Sequence, residues 1–432
     1  MVKHIKSTRS LPAGRGRGEA RVLPARGDHP ILIGDRLHER YRIAHKLGHD
    51  IFSTLWLARD EQLSRYVAVK VGTADSADSS HREVDILSQL SNSNARDGTG
   101  KGFFPAVLDS FNLESPNGTH PCFVTAPARY SLADTKQASS GLFQLDVARS
   151  LAAQLTLAVV HIHEQGFVHG DLHLGNTLLH LPSPLDALPE TNLYTKYRAP
   201  EPEPILRLDG APLTQGVPLP RDPPPNIWLG DESETIPLRN TNLLLTDFGT
   251  AFRLSTESRF ASYTPLEIRP PEARFAPATP LSFASDIWSL GCTVWALLAH
   301  RSLFDALWLA SEDNVAAQWV DVVGVGCLPA EWWGVWEAWP KYFTEVGPGR
   351  QPVGGRRAWS LGRRYEEWVV EPRRERGLAT MGDGEREAFL GMVRGMLAFQ
   401  PRDRLSAKEV LEMEWMREWA MPEYVKGLSL GG

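Results

Sequence analysis

The repeat of apolar residues changes period partway along the chain, and this limits the fold more than any other feature. From Tyr41 to about residue 126 the sequence runs in short β-rich segments: Y-R-I-A-H-K-L-G, T-L-W-L-A-R, Y-V-A-V-K-V, A-V-L-D-S-F and P-C-F-V-T-A. Alternating runs of this length predict strands. Val84 and Leu87 place one helix among them, at about residues 80–90. Further on, Val147, Leu151, Leu155, Val159 and Ile162 recur at spacings of three and four, which predicts an amphipathic helix over residues 145–164. A second apolar helix is predicted at D-I-W-S-L-G-C-T-V-W-A-L-L, with Ser285 as its N-cap. Strands followed by helices make an α+β chain, a small β-rich half before a larger helical one.

Composition excludes several classes. The 432 residues carry a net charge of −6, which gives the whole molecule no general affinity for nucleic acid. Three widely spaced cysteines, Cys122, Cys292 and Cys327, form neither a disulfide scaffold nor a cysteine-based zinc module. No run of about 18 apolar residues occurs, and Gln154 interrupts the best candidate, so no spanning helix is expected. No apolar signal segment opens the sequence. Residues 1–30 are basic, net +5, and read as a disordered tail. Residues 181–240 hold 13 of the 32 prolines and read as a long irregular insert remote from the chemistry. Residues 421–432 read as a second tail. The six tryptophans between Trp332 and Trp368 read as packing residues. The eight arginines of residues 346–378 read as a solvated face.

Four strings in fixed order carry chemistry: K-L-G-H-D-I-F-S-T-L-W from Lys46, V-A-V-K ending at Lys70, H-G-D-L-H-L-G-N from His169 to Asn176, and L-L-L-T-D-F-G with Asp247. Moving a γ-phosphoryl group requires a divalent metal held by oxygens, to neutralise the charge that develops. Asn176 and Asp247 are the candidate metal ligands, and Mg²⁺ prefers such hard donors. Asp171 is the candidate acceptor of a substrate hydroxyl proton. Lys70, positioned by Glu83, is the candidate partner of the α- and β-phosphates. No Walker G-x-x-x-x-G-K-[ST] occurs.

This order resembles the eukaryotic protein kinases. R-P-P-E ending at Glu272, D-I-W-S-L-G starting at Asp286 and Q-P-R-D-R-L-S-A-K-E-V-L containing Arg404 extend the likeness over about residues 31–420. F-S-T-L-W-L, the entry segment from His29 and the position of the insert resemble the SR-protein kinases, in their fungal branch. The resemblance implies a bilobal fold with a five-stranded N-lobe at 31–126 and a helical C-lobe at 127–420. It implies ATP and Mg²⁺, with the nucleotide between the lobes. Leu47, Gly48, Leu55, Ala68, Lys70, Ala126, Ala128 and Leu178 would line its site, with Thr125 as gatekeeper. Glu272 would pair with Arg404, and Asp286 would hold the catalytic loop. The expected substrate is serine or threonine in a protein, Arg/Ser-rich by likeness. The expected molecule is a monomer of cytoplasm or nucleus, without membrane or direct nucleic-acid contacts.

Three positions depart from the family pattern. Asp50 stands at a phosphate-loop glycine. A carboxylate there would oppose phosphates by on the order of a few kcal/mol at an effective dielectric near 20, so it is expected to face solvent. His173 stands where a lysine is usual, and Gly170 where an arginine usually reads an activating phosphate. Gly170 therefore implies constitutive activity. Asp50 and His173 keep open a pseudokinase scaffold, and His173 a small-molecule phosphotransferase.

Overall fold

The computed structural model describes residues 10–11, 31–50, 52–92, 101–115, 118–182, 185–197, 199, 206–207, 229–305, 311–346, 349–355 and 358–431. The basic tail lies almost wholly outside them. The chain divides into two compact units: residues 1–88, 106–128 and 181–229, and residues 89–105, 129–180 and 230–432. The first is strand-rich and the second mostly helical.

The first unit holds one antiparallel sheet of β1 (Arg36–Leu37), β2 (Tyr41–His49), β3 (Ser53–Asp60), β4 (Arg65–Gly72), β5 (Asp109–Ser115) and β6 (Gly118–Thr125), in the order β1-β2-β3-β4-β6-β5. The expected five strands become six. The extra one, β1, is two residues long and too short to show a period. Alternation sorts the side chains by face. Tyr41, Ile43, Trp56, Ala58, Val67, Val69, Val71, Cys122 and Val124 form one buried cluster. Between them along the strands, Leu55, Ala68, Lys70 and Thr125 fall on the opposite face. The helix α1 (Ala77–Asn92) is longer than predicted and buries Glu83, Ile86, Leu87 and Leu90.

The insert begins as part of this unit. Asp186 accepts the Tyr66 amide at 2.6 Å, and Tyr194 donates to the Ala44 carbonyl at 3.0 Å. Leu193, on the helix Glu190–Tyr197, is fully buried. Residues 185–197 are therefore not irregular throughout, since they include the helix Glu190–Tyr197. Pro-rich composition hid them because only two apolar anchors, Leu185 and Leu193, are involved.

In the second unit α2 (Leu145–Glu164) is the central helix. By length and mean hydropathy of 1.3 it is apolar enough to cross a membrane, contrary to expectation, but 78% of that stretch is buried within the protein. Gln154 explains its own place in this helix. Its amide donates to Thr241 O at 2.7 Å and accepts the Leu243 N–H at 3.0 Å, so it fixes the backbone that leads to Asp247. After α2 come β7 (Phe167–Val168), β8 (Thr177–His180), β9 (Leu243–Leu245) and β10 (Phe252–Arg253). β8 pairs with β9, and β7 with β10, both antiparallel.

The apolar helix α3 (Phe283–Leu298) starts two residues before its predicted cap. Ser282 is the N-cap, and Ser285 closes a reciprocal capping box from the third position. Residues 421–431, read as tail, are helical. The arginine run is not a solvated face throughout. Arg364 and Arg373 are buried, and Arg373 donates twice to Leu298 O at the end of α3. Arg356 and Arg357 lie outside the described residues.

Candidate active site

In the strand-rich unit, register lines up the residues expected around a nucleotide. Gly48 lies opposite Leu55, Leu55 opposite Lys70, and Lys70 opposite Phe123, in a single row across four strands. The next row pairs Leu57 with Ala68 and Ala68 with Thr125. Lys70 Nζ meets Glu83 Oε2 at 2.8 Å, with the carboxylate almost completely buried. Leu47 and Ala68 are buried, Leu55 and Ala128 half-buried, and Ala126 exposed. The Thr125 hydroxyl donates to Ala126 O at 3.2 Å.

Asp50 is exposed, yet its carboxylate does not simply face solvent. Oδ1 accepts the amide N–H groups of Phe52 and Ser53, each at 2.6 Å, and Oδ2 accepts the Ser53 hydroxyl at 2.8 Å. The loop thus turns its own donors onto its own anion, where a phosphate oxygen would otherwise be the partner. Asp50→Gly is expected to tighten ATP about tenfold, because it removes a competing negative charge from those amides. Adenosine, which lacks phosphates, should bind both forms equally. Calorimetric titration checks this, and unchanged ATP affinity would contradict it.

The helical unit carries the loop from His169 to Asn176. Asp286 at the start of α3 holds its entrance. Its Oδ2 accepts the His169 amide at 2.8 Å, its Oδ1 the Gly170 amide at 2.9 Å, and His163 Nε2 lies 2.9 Å from Oδ2. Gly170 has φ of 79°, and a Cβ there would stand 3.3 Å from Thr250 O. An arginine at this position would meet both the left-handed backbone and that carbonyl. His169 is buried, which pushes its imidazole pKa down. The neutral ring accepts the Asp171 amide at Nδ1 (3.2 Å) and faces Thr246 O from Nε2 (3.2 Å). It therefore ties the loop to the strand end that precedes Asp247.

Asp171 is held from two sides. Asn176 Nδ2 donates to Asp171 O at 2.9 Å and Oδ2 at 3.1 Å. His173 Nδ1 accepts the Gly175 amide at 3.0 Å, which leaves its Nε2–H toward Asp171 Oδ2 at 3.4 Å. Asp171 Oδ1 is buried and has no hydrogen-bond partner among the described residues. An unmatched buried acceptor is costly unless something else completes it, and a substrate hydroxyl fits.

Pairing of β8 with β9, Thr177 opposite Leu245, brings Asn176 and Asp247 to one end of the ladder. Asn176 O also accepts both the amide and the hydroxyl of Thr246, at 2.9 and 3.0 Å. Asp247 has φ of 64°, a left-handed conformation that costs a non-glycine residue roughly 1 kcal/mol. Strain of this kind persists at functional positions. Phe248, fully buried, packs against His169 and Phe104, with ring centroids 4.7 and 5.8 Å away. Leu178 is half-buried opposite Leu244. Among the described residues no group of three or more His, Cys, Asp or Glu could hold a metal. One carboxylate and one amide oxygen fit Mg²⁺, which takes its other ligands from water and phosphates.

Glu272 and Arg404 meet as a buried bidentate pair at 2.8 and 2.6 Å. Arg404 also donates to the carbonyls of Ala284, Ala398 and Phe399. Ser285 adds its hydroxyl to Glu272 at 3.1 Å.

The model of the protein kinase domain matches residues 224–416, which include Asp247, Glu272, Asp286 and Arg404. The chain carries a protein kinase domain of the serine/threonine class. It is 26% identical over 412 residues to a serine/threonine protein kinase of Aspergillus fumigatus, covering 90% of this chain and 87% of that one. It is 29% identical over 158 residues to SRSF protein kinase 3 of Homo sapiens, covering 35% of this chain and 28% of that one. A solved kinase domain shares the fold with a TM-score of 0.59 at 17% identity, covering 90% of this chain and 98% of the other. The kinase resemblance, the α+β bilobal fold class and the enzyme class stand.

Proposed function

We propose that this kinase transfers the γ-phosphoryl group of ATP, with Mg²⁺, to serine hydroxyls in arginine-rich proteins, without prior phosphorylation of its own activation segment. The observation that carries the reading is the unpartnered Oδ1 of Asp171, fixed by Asn176 and His173. Bound ATP and Mg²⁺ supply the phosphoryl group and neutralise its developing charge. Asn176 and Asp247 are the residues that would hold the metal, and Lys70, braced by Glu83, the α- and β-phosphates. Leu47, Gly48, Leu55, Ala68, Ala126, Ala128 and Leu178 would enclose the nucleoside. Asp171 Oδ1 orients the serine hydroxyl and takes its proton. The Nε2–H of His173 opposes full proton transfer to Oδ2 and so keeps Oδ1 the working oxygen.

The segment from Asp247 to Glu272 is ordered by unmodified contacts, which supports constitutive activity. Arg259 donates to Thr250 O at 2.6 Å and stacks over Phe252, Arg269 donates to Thr264 O, and Glu272 is locked to Arg404. The arginine-rich preference rests on the likeness to an SRSF kinase. The test is phosphorylation of serine peptides, flanked by arginine or by alanine, by bacterially made protein before and after phosphatase. Expected is faster labelling of the arginine peptides, unchanged by phosphatase. Loss of activity on phosphatase treatment would overturn constitutive ordering.

A further inference from the structure

Arg253 ends the short strand β10, six residues after Asp247, and its guanidinium joins three segments. Nη1 donates to Gln165 O at 3.0 Å, in the turn that leads from α2 to the catalytic loop. Nη2 donates to Gln89 Oε1 at 2.7 Å, in the last turn of α1. The guanidinium carbon lies 4.2 Å from the ring centroid of Phe167, the residue opposite Arg253 where β7 pairs with β10. A planar fork can serve two acceptors and lie on a ring at once, which suits arginine better than lysine.

The contact to Gln89 bears on chemistry because of what else α1 carries. Glu83, which braces Lys70 at 2.8 Å, lies six residues before Gln89. A helical rise of about 1.5 Å per residue separates the two by about 9 Å along the axis. Over less than two turns a helix moves as one piece, so a hold on Gln89 is a hold on Glu83. The division into compact units runs through this helix: its residues up to Ser88 go with the strands, and Gln89, like Arg253, with the helical unit. Arg253 is itself well fixed. The Leu254 amide donates to Gly166 O at 3.0 Å, and Phe252 is buried with Val168 and Leu281. A Cβ at Gly166 would stand 3.4 Å from Arg253 Nη1, so the turn leaves the guanidinium little spare room.

We propose that Arg253 is a positioning residue for phosphoryl transfer: through Gln89 it sets α1, and with it Glu83 and Lys70, from the strand that follows Asp247. It acts through these residues and touches neither nucleotide nor substrate. The inference rests on the reading of Lys70 as the partner of the ATP phosphates, proposed above. Its influence is therefore felt at the phosphates and not at the nucleoside.

The test is calorimetric binding of ATP with Mg²⁺, and of adenosine, to wild type, Gln89→Lys, Gln89→Glu and Arg253→Ala, with amide hydrogen exchange over residues 77–92 measured without nucleotide. Gln89 is exposed, so its variants should fold as the wild type does. Gln89→Lys sets a cation against Arg253 and should weaken ATP about threefold; Arg253→Ala, which removes all three contacts, should weaken it about tenfold. Gln89→Glu keeps an acceptor for the guanidinium and should bind ATP within about twofold of wild type. Adenosine should bind all four proteins alike. Exchange in α1 should quicken in Gln89→Lys and Arg253→Ala. Charge acting at long range would run the other way, with lysine favouring the anionic nucleotide and glutamate opposing it. That order would overturn the proposal, as would unchanged ATP affinity in Gln89→Lys and Arg253→Ala. Equal weakening of ATP and adenosine would mean general loosening and would overturn it too. A wild type that binds no ATP refutes the kinase reading instead. Exchange then decides the tie: quickened exchange in Gln89→Lys upholds it, and unchanged exchange overturns it.

Discussion

Arg404→Ala is expected to lower the unfolding free energy by about 3–5 kcal/mol, the range for breaking a buried ion pair from one side. Five N–H donors of this guanidinium are used, two by Glu272 and three by the carbonyls of Ala284, Ala398 and Phe399. Removing them strands the Glu272 carboxylate at 2% exposure with only the Ser285 hydroxyl. The guanidinium also lies over the Trp288 ring, 5.2 Å from its centroid, so packing is lost as well. Glu272→Gln should cost less than Arg404→Ala, since a neutral amide leaves no unpaired buried anion. Denaturant titration of the three proteins checks both the size and the order. Equal stability of wild type and Arg404→Ala would contradict the account of how the activation segment is held.

Asp171→Asn is expected to lower kcat by about 10²–10⁴, the usual contribution of a positioned general base, with nucleotide affinity within about twofold. The substitution keeps size and the contact to Asn176 but removes the carboxylate that His173 and Asn176 hold in place. His173→Leu should cost far less, because Asn176 still holds Oδ2 and the loop remains tied through Asp286. Single-turnover kinetics at saturating ATP separate these effects. A His173→Leu loss as large as that of Asp171→Asn would make the imidazole a reacting group rather than a positioning one.

Residues carried by the kinase-like strings were legible in the sequence. Lys70 on a strand and Glu83 on a helix were matched by the order of those strings and the need for a carboxylate partner, not by period, and they meet at 2.8 Å. The role of Asp286 followed from the likeness of D-I-W-S-L-G to the kinase pattern, while the cap lies at Ser282, three residues before the expected Ser285. What stayed hidden was local or many-bodied. Asp50 reads as a charge opposed to phosphate. Only the backbone shows that a two- or three-residue turn lets it bond its own loop. Arg364 and Arg373 look like solvated charges in a basic run. Their burial depends on carbonyls at Leu303 and Leu298, dozens of residues away. Asp186 and Tyr194 fall within a proline-rich stretch whose composition gives no sign that two polar anchors fix it to the small sheet.

Transfer of label from γ-labelled ATP to a serine peptide is the most direct test of the central claim. It should be run with Mg²⁺, with a chelator, and with Asp171→Asn. The account predicts labelled phosphoserine from the wild type with Mg²⁺ and loss of labelling by a hundredfold or more in both other arms. Absence of labelling in the wild type, or equal labelling by Asp171→Asn, would contradict it.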